Sequence, residues 1–334
     1  MGIKDLKLLI KKFTPESIIK RPYEDLKGKT IAIDVSIYLY KFMYGNNNLL
    51  FNFLKQIEKF SKYDITPVYI FDGKPPDEKK TIIANRKEIK RKKYERKEEI
   101  EKKLVEYDEI INTSLEVEKV KIYKDNKRIL EIELNKLKLS IINIKDSDIS
   151  SLKELFDILG VTYIQATTEA EIICSNMCIQ GLVYGCLSDD TDVLANGSIK
   201  FLTCYNYKND FLIEYDFDNI LSCLKLNQSE FVDLCILCGC DYTCKINKIA
   251  YITAYKLITQ YRSIERIIEN IKSVEKHNIT DKFLSTFDFQ KCRDIFLKSD
   301  YNFEDLDLKR KEIQKDNLIQ LIKKNNINYN IDKL

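Results

Sequence analysis

The sequence predicts an α/β fold in which helices flank a mostly parallel central sheet, with a long helical insertion and a helical C-terminal part. Two short apolar runs rich in β-branched residues, 30–35 and 67–71, are typical of buried parallel strands. They alternate with segments of helical periodicity, which favours a parallel sheet covered by helices. With 334 residues the chain has room for about two domains, or for one domain with insertions.

The N-terminal third contains both of these strands. The first, 30–35, is followed by a helical pattern that continues to a loop signal at 45–48. Helical periodicity resumes over 50–60, and the second strand, 67–71, ends at Asp72 beside a glycine. This order predicts a strand, two helices and a second strand.

A long polar segment, 77–138, follows two prolines. Its composition favours helices with many i to i+4 charge pairs and a thin apolar stripe, so we predict a helical arm that projects from the core. From Lys74 to Lys103 there are thirteen Lys or Arg residues against seven Asp or Glu, in a chain of net charge +3. This basic stretch indicates either a polyanionic partner or a solvated helix face with ion pairs.

The alternating pattern returns after the arm. A helix over 151–159 precedes a third strand, 161–164, and a helix that opens at 168–171 precedes a fourth strand, 182–187. Beyond residue 207 the pattern is mostly helical, and we expect the Lys- and Asn-rich tail from 323 to be frayed.

The composition excludes several classes of chemistry. His277 is the single histidine, so catalytic sites that need a histidine beside other groups, such as Ser-His-Asp triads, are excluded. The ten cysteines, with no signal peptide ahead of them, indicate reduced thiols. No apolar run reaches the roughly 18 residues of a membrane helix. We therefore expect an intracellular protein with no membrane or lipid anchor.

Acidic residues follow three of the predicted strands at the point where each strand ends. Asp34 ends the first strand, Asp72 follows the second, and Asp190 and Asp192 come just after the fourth. Because the carboxyl ends of parallel strands form the ligand crevice of an open sheet, we expect these acids to converge at one edge.

Two further acids, Glu169 and Glu171, stand at a helix start and are expected at the same edge. Carboxylates crowded in this way repel one another unless cations lie between them, and Mg²⁺ or Mn²⁺ prefers such oxygen ligands. Each acid also has a structural interpretation. Glu171 could form a capping box with Thr168, and Asp189 or Asp190 could cap the following helix.

Six motifs occur in one order along the chain and at compatible spacings: Gly2-Ile3, Ile31–Asp34, Val68–Pro76, Glu169–Glu171, Asp190–Asp192 and Phe231–Tyr242. Together they resemble the motifs of the flap endonuclease family of structure-specific 5′ nucleases, and the similarity extends from residue 2 to about residue 270. The resemblance implies a PIN-like 5′ nuclease core with a helical arch as its insertion.

The resemblance also implies a two-metal phosphodiesterase. In such an enzyme two Mg²⁺ or Mn²⁺ ions activate a water and stabilise the attacking and leaving oxygens of an in-line displacement. No histidine is required, in agreement with the composition. Seven acids stand at the metal-binding positions of the family: Asp34, Asp72, Glu169, Glu171, Asp190, Asp192 and Asp241.

Residues that contact DNA are implied in the same way. Lys79 and Arg86 match two basic residues at the foot of the arch, and their spacing places them on one helix face, where they would neutralise the scissile phosphate. Charge alone would make them two of many cations on a solvated helix. Tyr40 matches an aromatic on which a base stacks, with a core tyrosine as the alternative. Gly2 counts among the DNA-binding positions, and the arm would surround a threaded single-stranded 5′ end.

The chain departs from the family in its DNA-binding hairpin. The family has a glycine-rich helix-hairpin-helix that binds duplex phosphates, often with a potassium ion, whereas Lys248 and Ala250 replace two of the glycines here. This loss argues against the potassium ion, and we expect Lys245, Lys248 and Lys256 to hold phosphates directly. No sliding-clamp motif, which is led by Gln and carries two aromatics, is found near the C-terminus.

A cluster of four cysteines, Cys235, Cys238, Cys240 and Cys244, has spacing that suits zinc or an iron-sulfur cluster. The first two fall on a strongly apolar helix, which favours burial as small apolar side chains.

We therefore predict a monomeric, structure-specific 5′ flap endonuclease that acts on branched or flapped DNA in replication, repair or recombination, in the nucleus or another compartment where DNA is replicated. The alternatives are a 5′→3′ exonuclease on DNA or RNA and a catalytically silent junction-binding protein; the complete acid set argues against the silent protein. The predicted parts are an N-terminal nuclease region (1–76), a basic helical arch (77–150), an internal nuclease region of the same core (151–243), a helical DNA-binding region (244–322) and a tail (323–334).

Overall fold

A central sheet of seven strands organises the part of the chain that the computed structural model describes, residues 2–44, 48–274, 277, 279–298, 301–304 and 306–334. The strands are β1 (Ile18–Pro22), β2 (Thr30–Asp34), β3 (Thr66–Phe71), β4 (Tyr163–Gln165), β5 (Gly185–Leu187), β6 (Lys200–Thr203) and β7 (Phe211–Asp216).

The strands lie in the order β1-β7-β6-β5-β2-β3-β4. Those from β6 to β4 pair in parallel, whereas β7 and β1 pair antiparallel at one edge, so the predicted mostly parallel sheet is confirmed. The pattern beyond residue 207 predicts helix, but Phe211–Asp216 pairs with both β6 and β1. The sequence also gives no signal for β1, because Lys20, Arg21 and Pro22 interrupt any apolar run.

Helices cover both faces of the sheet. Gly160 follows the sixth helix in the left-handed conformation (φ 61°), as expected of a residue that stops it. Residues 45–47 of the predicted loop lie outside the described residues, while Asn48 caps the third helix by accepting the N–H of Phe51 at 3.0 Å.

Of the helices described, none has both the length and the apolar character needed to cross a membrane. The helices are α1 (Leu6–Phe13), α2 (Val35–Met43), α3 (Leu49–Lys62), α4 (Lys80–Thr113), α5 (Val117–Ser140), α6 (Asp146–Ile158), α7 (Ala170–Ile179), α8 (Asp192–Ala195), α9 (Phe217–Leu224), α10 (Gln228–Cys238), α11 (Tyr251–Tyr261), α12 (Ile264–Ile271), α13 (Asp281–Leu284), α14 (Phe289–Phe296) and α15 (Lys315–Lys324).

Two apolar cores lie on opposite faces of the sheet, because successive residues of a strand point to opposite sides. Ala32 of β2 belongs to the core shared with α1, α7 and α10, and its neighbours Ile31 and Ile33 belong to the core shared with α3, α6 and α15. On the second face, Phe156 of α6 stacks on Tyr69 of β3 with ring centroids 4.3 Å apart. Packing on both faces fixes the strand ends from which the site is built.

The predicted helical arm is an antiparallel hairpin of α4 and α5. At 1.5 Å per residue, the 34 residues of α4 span about 50 Å. Arg96 of α4 bonds both carboxylate oxygens of Glu133 of α5, at 2.8 and 3.1 Å, and Tyr107 meets Tyr123 edge to face at 5.0 Å. Ion pairs therefore hold the arm together alongside a narrow apolar contact, as its composition predicts.

The C-terminal tail is packed, which corrects the expectation that it frays. Ile327 is buried, and the Tyr329 hydroxyl donates to Glu58 at 2.8 Å. Lys55 of α3 lies over the ring of Tyr329, 5.3 Å from its centroid. The composition of the tail predicts fraying because it contains few apolar residues, but these residues pack against the core that includes α3.

Candidate active site

The carboxyl ends of three adjacent strands bring the predicted acids to one edge of the sheet. β2 lies between β3 and β5, so Asp34 at the end of β2 is next to Asp72, which follows β3. Asp190 and Asp192 follow β5, on the other side of β2. The convergence expected from the strand ends is therefore found.

The acids form a buried floor and a more exposed rim. Asp34, Glu169, Glu171 and Asp192 are buried, Asp190 and Asp241 are half-buried, and Asp72 is exposed.

Mutual repulsion and burial disfavour the charged forms on the floor. Burial, and after it the charge of Asp72, raises the pKa of Asp34 to about 8. The pKa of Glu171 is raised well above its ordinary value, mainly by burial. Burial and the charge of Asp190 raise the pKa of Asp192 well above its ordinary range. Such a floor favours the arrival of cations.

Neighbouring hydroxyls and amides orient two of the acids. Asp34 accepts the N–H of Ser36 and the hydroxyl of Ser188, both at 3.0 Å. Asp72 accepts the N–H of Ala170 at 2.8 Å, and it also accepts the hydroxyl of Ser36. Neither serine is predicted from the sequence, in which the only signal is that each lies two residues from an acid of the site.

Lys79 lies among the glutamates. Its Nζ is 2.5 Å from Glu169 Oε1 and 3.4 Å from Glu171 Oε1, and the side chain is buried. Burial alone would lower the pKa of Lys79, but the charges of Glu171, Glu169 and Asp192 outweigh it and raise the pKa above the ordinary value. The lysine is therefore a fixed positive charge.

Arg86 contacts a different acid of the site, Asp241. Its Nη2 lies 2.9 Å from Asp241 Oδ2, with the arginine exposed. The sequence spacing places Lys79 and Arg86 on one helix, and this is wrong in detail. Lys79 ends a 3-10 turn, Asp77–Lys79, and only Arg86 belongs to α4. Both cations nevertheless reach the acids.

The helix-capping roles that the sequence also allows for three of the acids have different outcomes. Glu171 forms no capping box, because α7 has no side-chain cap and the Glu171 carboxylate contacts Lys79 instead. Asp190 does accept the N–H of Asp192 at 3.0 Å, at the start of α8, so it has a capping contact besides its place in the cluster. Asp189 bonds Lys41 and Thr203.

The surroundings of Asp192 indicate whether the acids suit a metal ion. It is fully buried, and neither carboxylate oxygen has a hydrogen-bond partner. Among the described residues no three His, Cys, Asp or Glu side chains are grouped closely enough to hold a metal ion, and Lys79 and Arg86 occupy carboxylates of the cluster. An unpartnered buried carboxylate amid other acids nevertheless offers the kind of oxygen ligand that a hard divalent cation prefers.

Gly2 lies directly against the acids. A Cβ built on it would lie 2.0 Å from Asp190 Oδ1, and its backbone has a φ of +81°. The same residue lines a cleft of about 540 Å³ together with Lys4, Asp241 and Lys245. Gly2 therefore belongs to the site, beside a cleft that both lysines and aspartates line.

The remaining residues predicted to contact DNA differ in exposure and backbone conformation. Tyr40 of α2 is 53% exposed, which excludes its interpretation as a core tyrosine. Lys248 adopts a φ of +56°, so the lysine that replaces an expected glycine keeps a left-handed backbone. Burial, and after it the charge of Lys4, lowers the pKa of Lys245. Lys256 is exposed on α11.

The cysteine cluster divides between core and surface. Cys235 and Cys238 are buried in α10, as the packing interpretation predicts. Cys240 Sγ lies 4.0 Å from Cys292 Sγ, and Cys244 Sγ contacts the Thr286 hydroxyl at 3.5 Å. The ten cysteines are free thiols.

Comparisons with known proteins agree with this architecture. Family models described as XPG N-terminal domain and XPG I-region match residues 1–93 and 160–241, and the interval between them contains most of the arm. Flap endonuclease 1 of Drosophila mojavensis is 31% identical, over 96% of this chain and 80% of the relative. Flap endonuclease 1 of Zea mays is 30% identical, over 100% of this chain and 85% of the relative.

Solved structures show the same fold. The catalytic core of Rad2 in complex with a DNA substrate superposes with a TM-score of 0.70 at 20% identity, covering 97% of this chain and 95% of that one. Flap endonuclease-1 from Methanococcus jannaschii has a TM-score of 0.60 at 20% identity, with 93% and 91% covered. With acids, cations and fold in agreement, this chain belongs to the flap endonuclease (XPG) family of nucleases.

Proposed function

We propose that this protein cuts DNA phosphodiester bonds at junctions between single and double strands, removing 5′ flaps and trimming from 5′ ends in replication, repair or recombination. The observation that carries the proposal is the edge of the sheet where seven acids meet two cations, with Lys79 between Glu169 and Glu171 and Arg86 on Asp241. This combination provides ligands for metal ions and positive charge for a phosphate at one place.

The acids would hold two Mg²⁺ or Mn²⁺ ions. When bound, such ions generate a hydroxide nucleophile from water and stabilise the charge that develops in an in-line displacement at phosphorus. The buried floor supplies the ligands with least access to water, and the unpartnered oxygens of Asp192 are free to coordinate. The proposed ligands are Asp34, Asp72, Glu169, Glu171, Asp190, Asp192 and Asp241.

Lys79 and Arg86 would bind the scissile phosphate. Each of these basic side chains now contacts a carboxylate that would take part in metal binding. Transfer of these cations from carboxylate to phosphate oxygens keeps their charge compensated. Their donors then stabilise the negative charge that increases on the phosphate in the transition state.

Surfaces around the site would guide the DNA. The exposed ring of Tyr40 offers a stacking platform for a base beside the cut. Lys245, Lys248 and Lys256 would contact phosphates of the duplex, and the basic arm would surround the single-stranded 5′ end. We propose that the protein acts as a monomer in an intracellular compartment where DNA is replicated.

The test is cleavage of end-labelled 5′-flap, nicked and single-stranded DNA, with Mg²⁺ or with EDTA, by the wild type, Asp190→Ala and the control Asp218→Ala. Asp218 is an exposed acid in the first turn of α9, away from the cluster. Magnesium-dependent cuts at the flap base that only Asp190→Ala abolishes support the proposal. Stepwise 5′ degradation alone would assign an exonuclease. Metal-independent junction binding without cleavage would show a silent protein.

A further inference from the structure

Tyr242 connects two groups of the site, although it is neither one of the seven acids nor one of the cations. Its hydroxyl donates to Glu169 Oε2 at 2.6 Å, and its ring centroid lies 4.9 Å from Lys79 Nζ. Only 5% of the side chain is exposed, so both contacts are shielded from water. In such surroundings a hydrogen bond to a carboxylate and a cation over a ring are both strengthened.

These contacts close a triangle of three side chains. Glu169 uses Oε1 to contact Lys79 at 2.5 Å and Oε2 to accept from Tyr242, so each carboxylate oxygen has one fixed partner. Lys79 in turn lies over the aromatic ring. Any rotation of Glu169 would break a contact to Tyr242 or to Lys79, and the direction of its remaining lone pairs is therefore fixed.

The ring of Tyr242 is held in place by packing against a second aromatic ring. Its ring meets Phe296 of α14 edge to face, with centroids 5.1 Å apart and planes at 81°. Phe296 is fully buried in the same core. The hydroxyl cannot turn away from Glu169 without displacing this helix, so the position of Tyr242 is set by packing and not by the acids alone.

We infer that Tyr242 is a positioning residue for the proposed reaction: its hydroxyl orients Glu169 for metal binding, and its ring holds Lys79 where the scissile phosphate arrives. The inference rests on the proposed function. Loss of a partner that orients a metal-binding side chain costs about 10- to 100-fold in metal affinity or activity.

The first test compares Tyr242→Phe with Tyr69→Phe. Tyr69 is also fully buried, and its hydroxyl donates to Gln56 at 2.9 Å on the other face of the sheet, so it is a matched control. Binding of Mn²⁺ without DNA is measured by electron paramagnetic resonance, and kcat and KM are measured on a 5′ flap. Tyr242→Phe is expected to weaken Mn²⁺ binding and lower kcat by about 10-fold or more, with KM for DNA unchanged. Tyr69→Phe should change neither quantity.

The second test addresses Lys79. Tyr242→Leu removes the ring as well as the hydroxyl, and we expect a further loss of kcat relative to Tyr242→Phe. In a Lys79→Met background the step from Phe to Leu at position 242 should have little further effect, because the cation that the ring holds is gone.

The inference would be overturned if Tyr242→Phe kept the Mn²⁺ affinity and kcat of the wild type. It would also be overturned if Tyr69→Phe lost as much Mn²⁺ affinity and kcat as Tyr242→Phe. A step from Phe to Leu at position 242 that costs as much in the Lys79→Met background as in the wild-type background would overturn the part that concerns Lys79. The Mn²⁺ measurement needs no substrate, so it distinguishes failure of this inference from failure of the proposed function. A wild type whose Mn²⁺ binding depends on Tyr242 but that cuts no DNA would refute only the proposed function.

Discussion

Gly2 lies where the chain has no space for a larger residue. In Gly2→Ala the new Cβ would meet Asp190 Oδ1 at 2.0 Å and the backbone nitrogens of Thr191 and Asp192 at 2.8 Å. Since Asp190 is a proposed metal ligand, we expect kcat on a 5′ flap to fall by about 10-fold or more. Steady-state cleavage kinetics, with thermal unfolding alongside, measure this.

Gly28→Ala is the matched control for that substitution. Gly28 also has a positive φ, +69°, but nothing lies within 4 Å of the position that an added Cβ would take. Both variants carry the same left-handed strain, about 1 to 2 kcal/mol. Equal kinetic loss in the two variants would show that strain, and not displacement of Asp190, is the cause.

Lys79 is expected to have opposite effects on metal binding and on catalysis. Its ammonium lies on Glu169 and Glu171, so in the metal-free protein it competes with a divalent cation for those carboxylates. Lys79→Met should therefore bind Mn²⁺ more tightly in titration calorimetry and yet cut flaps about 100-fold more slowly. Lys80→Met is the control, because Lys80 is largely exposed and, within the described part of the chain, its one ion pair is with Asp77. Weaker Mn²⁺ binding in Lys79→Met would contradict the competition.

At the scale of elements, Arg293 joins three helices of the C-terminal part. On α14, it places Nε 2.6 Å from Asp233 Oδ1 of α10 and Nη1 2.6 Å from Glu265 Oε1 of α12. Asp233 is 2% exposed, so Arg293→Met would leave a buried carboxylate without its cation. We expect the free energy of unfolding in urea to fall by about 3 to 5 kcal/mol.

Arg262→Met provides the comparison, because Arg262 is exposed and its pair with the half-buried Glu230 is 3.5 Å long. Removal of such a surface pair should cost less than about 1 kcal/mol. Adding Asp233→Asn to Arg293→Met should restore part of the lost stability, since the unpaired charge is removed. If the double variant is no more stable than the single one, the buried charge is not the cause.

The arm can be shortened without disturbing the core. Arg96 and Glu133 are in contact across the hairpin, so a linker of about four residues can replace 97–132. We expect this variant to unfold at nearly the wild-type temperature and to bind duplex DNA, but to lose most cleavage of 5′ flaps. Fluorescence anisotropy measures the binding of duplex DNA, and a cleavage assay measures the loss of activity on flaps. If the 5′ end is threaded through the arm, a flap blocked by a bound protein should also be a poor substrate for the wild type. Undiminished flap cleavage by the shortened protein would exclude threading.

Elements that are specified by their local sequence could be predicted, whereas elements that depend on contacts between distant segments could not. Asp34 and Asp72 were predictable because each ends an apolar strand, and parallel strands share one edge. β1 and β7 were not, since their pairing joins distant segments that carry polar residues. The 3-10 turn that carries Lys79 and the packed tail at Tyr329 depend in the same way on tertiary contacts.

At the scale of the whole molecule, the site joins segments that are far apart in the chain. Asp34, Asp190 and Asp241 come together only through the sheet and α10, and without the order of the family motifs nothing links Asp241 to the strand ends. The hydroxyls of Ser36, Ser188 and Tyr242 remained unpredicted because a hydrogen bond to an acid is a property of the folded chain.

The crowded acids predict that the stability of the whole protein depends on divalent cations. Asp192 is fully buried with both oxygens unpartnered, so the metal-free fold contains a buried carboxyl group that makes no hydrogen bond. A ligand that binds only the folded state stabilises it by about 2.7 kcal/mol at 100 times its Kd. We therefore expect Mg²⁺ to raise the Tm of the wild type above its value in EDTA.

Asp192→Asn should reverse that pattern, because the amide replaces an acid whose charged form burial disfavours, and it also removes a proposed metal ligand. Its Tm in EDTA is expected to equal or exceed that of the wild type, and Mg²⁺ should raise it much less. Thermal unfolding at pH 8 with Mg²⁺ or EDTA measures both, and Asp218→Asn, an exposed acid on α9, should respond as the wild type does. An Asp192→Asn protein that Mg²⁺ stabilises as strongly as the wild type would place the cation away from the buried floor, and the seven-acid site would have to be abandoned.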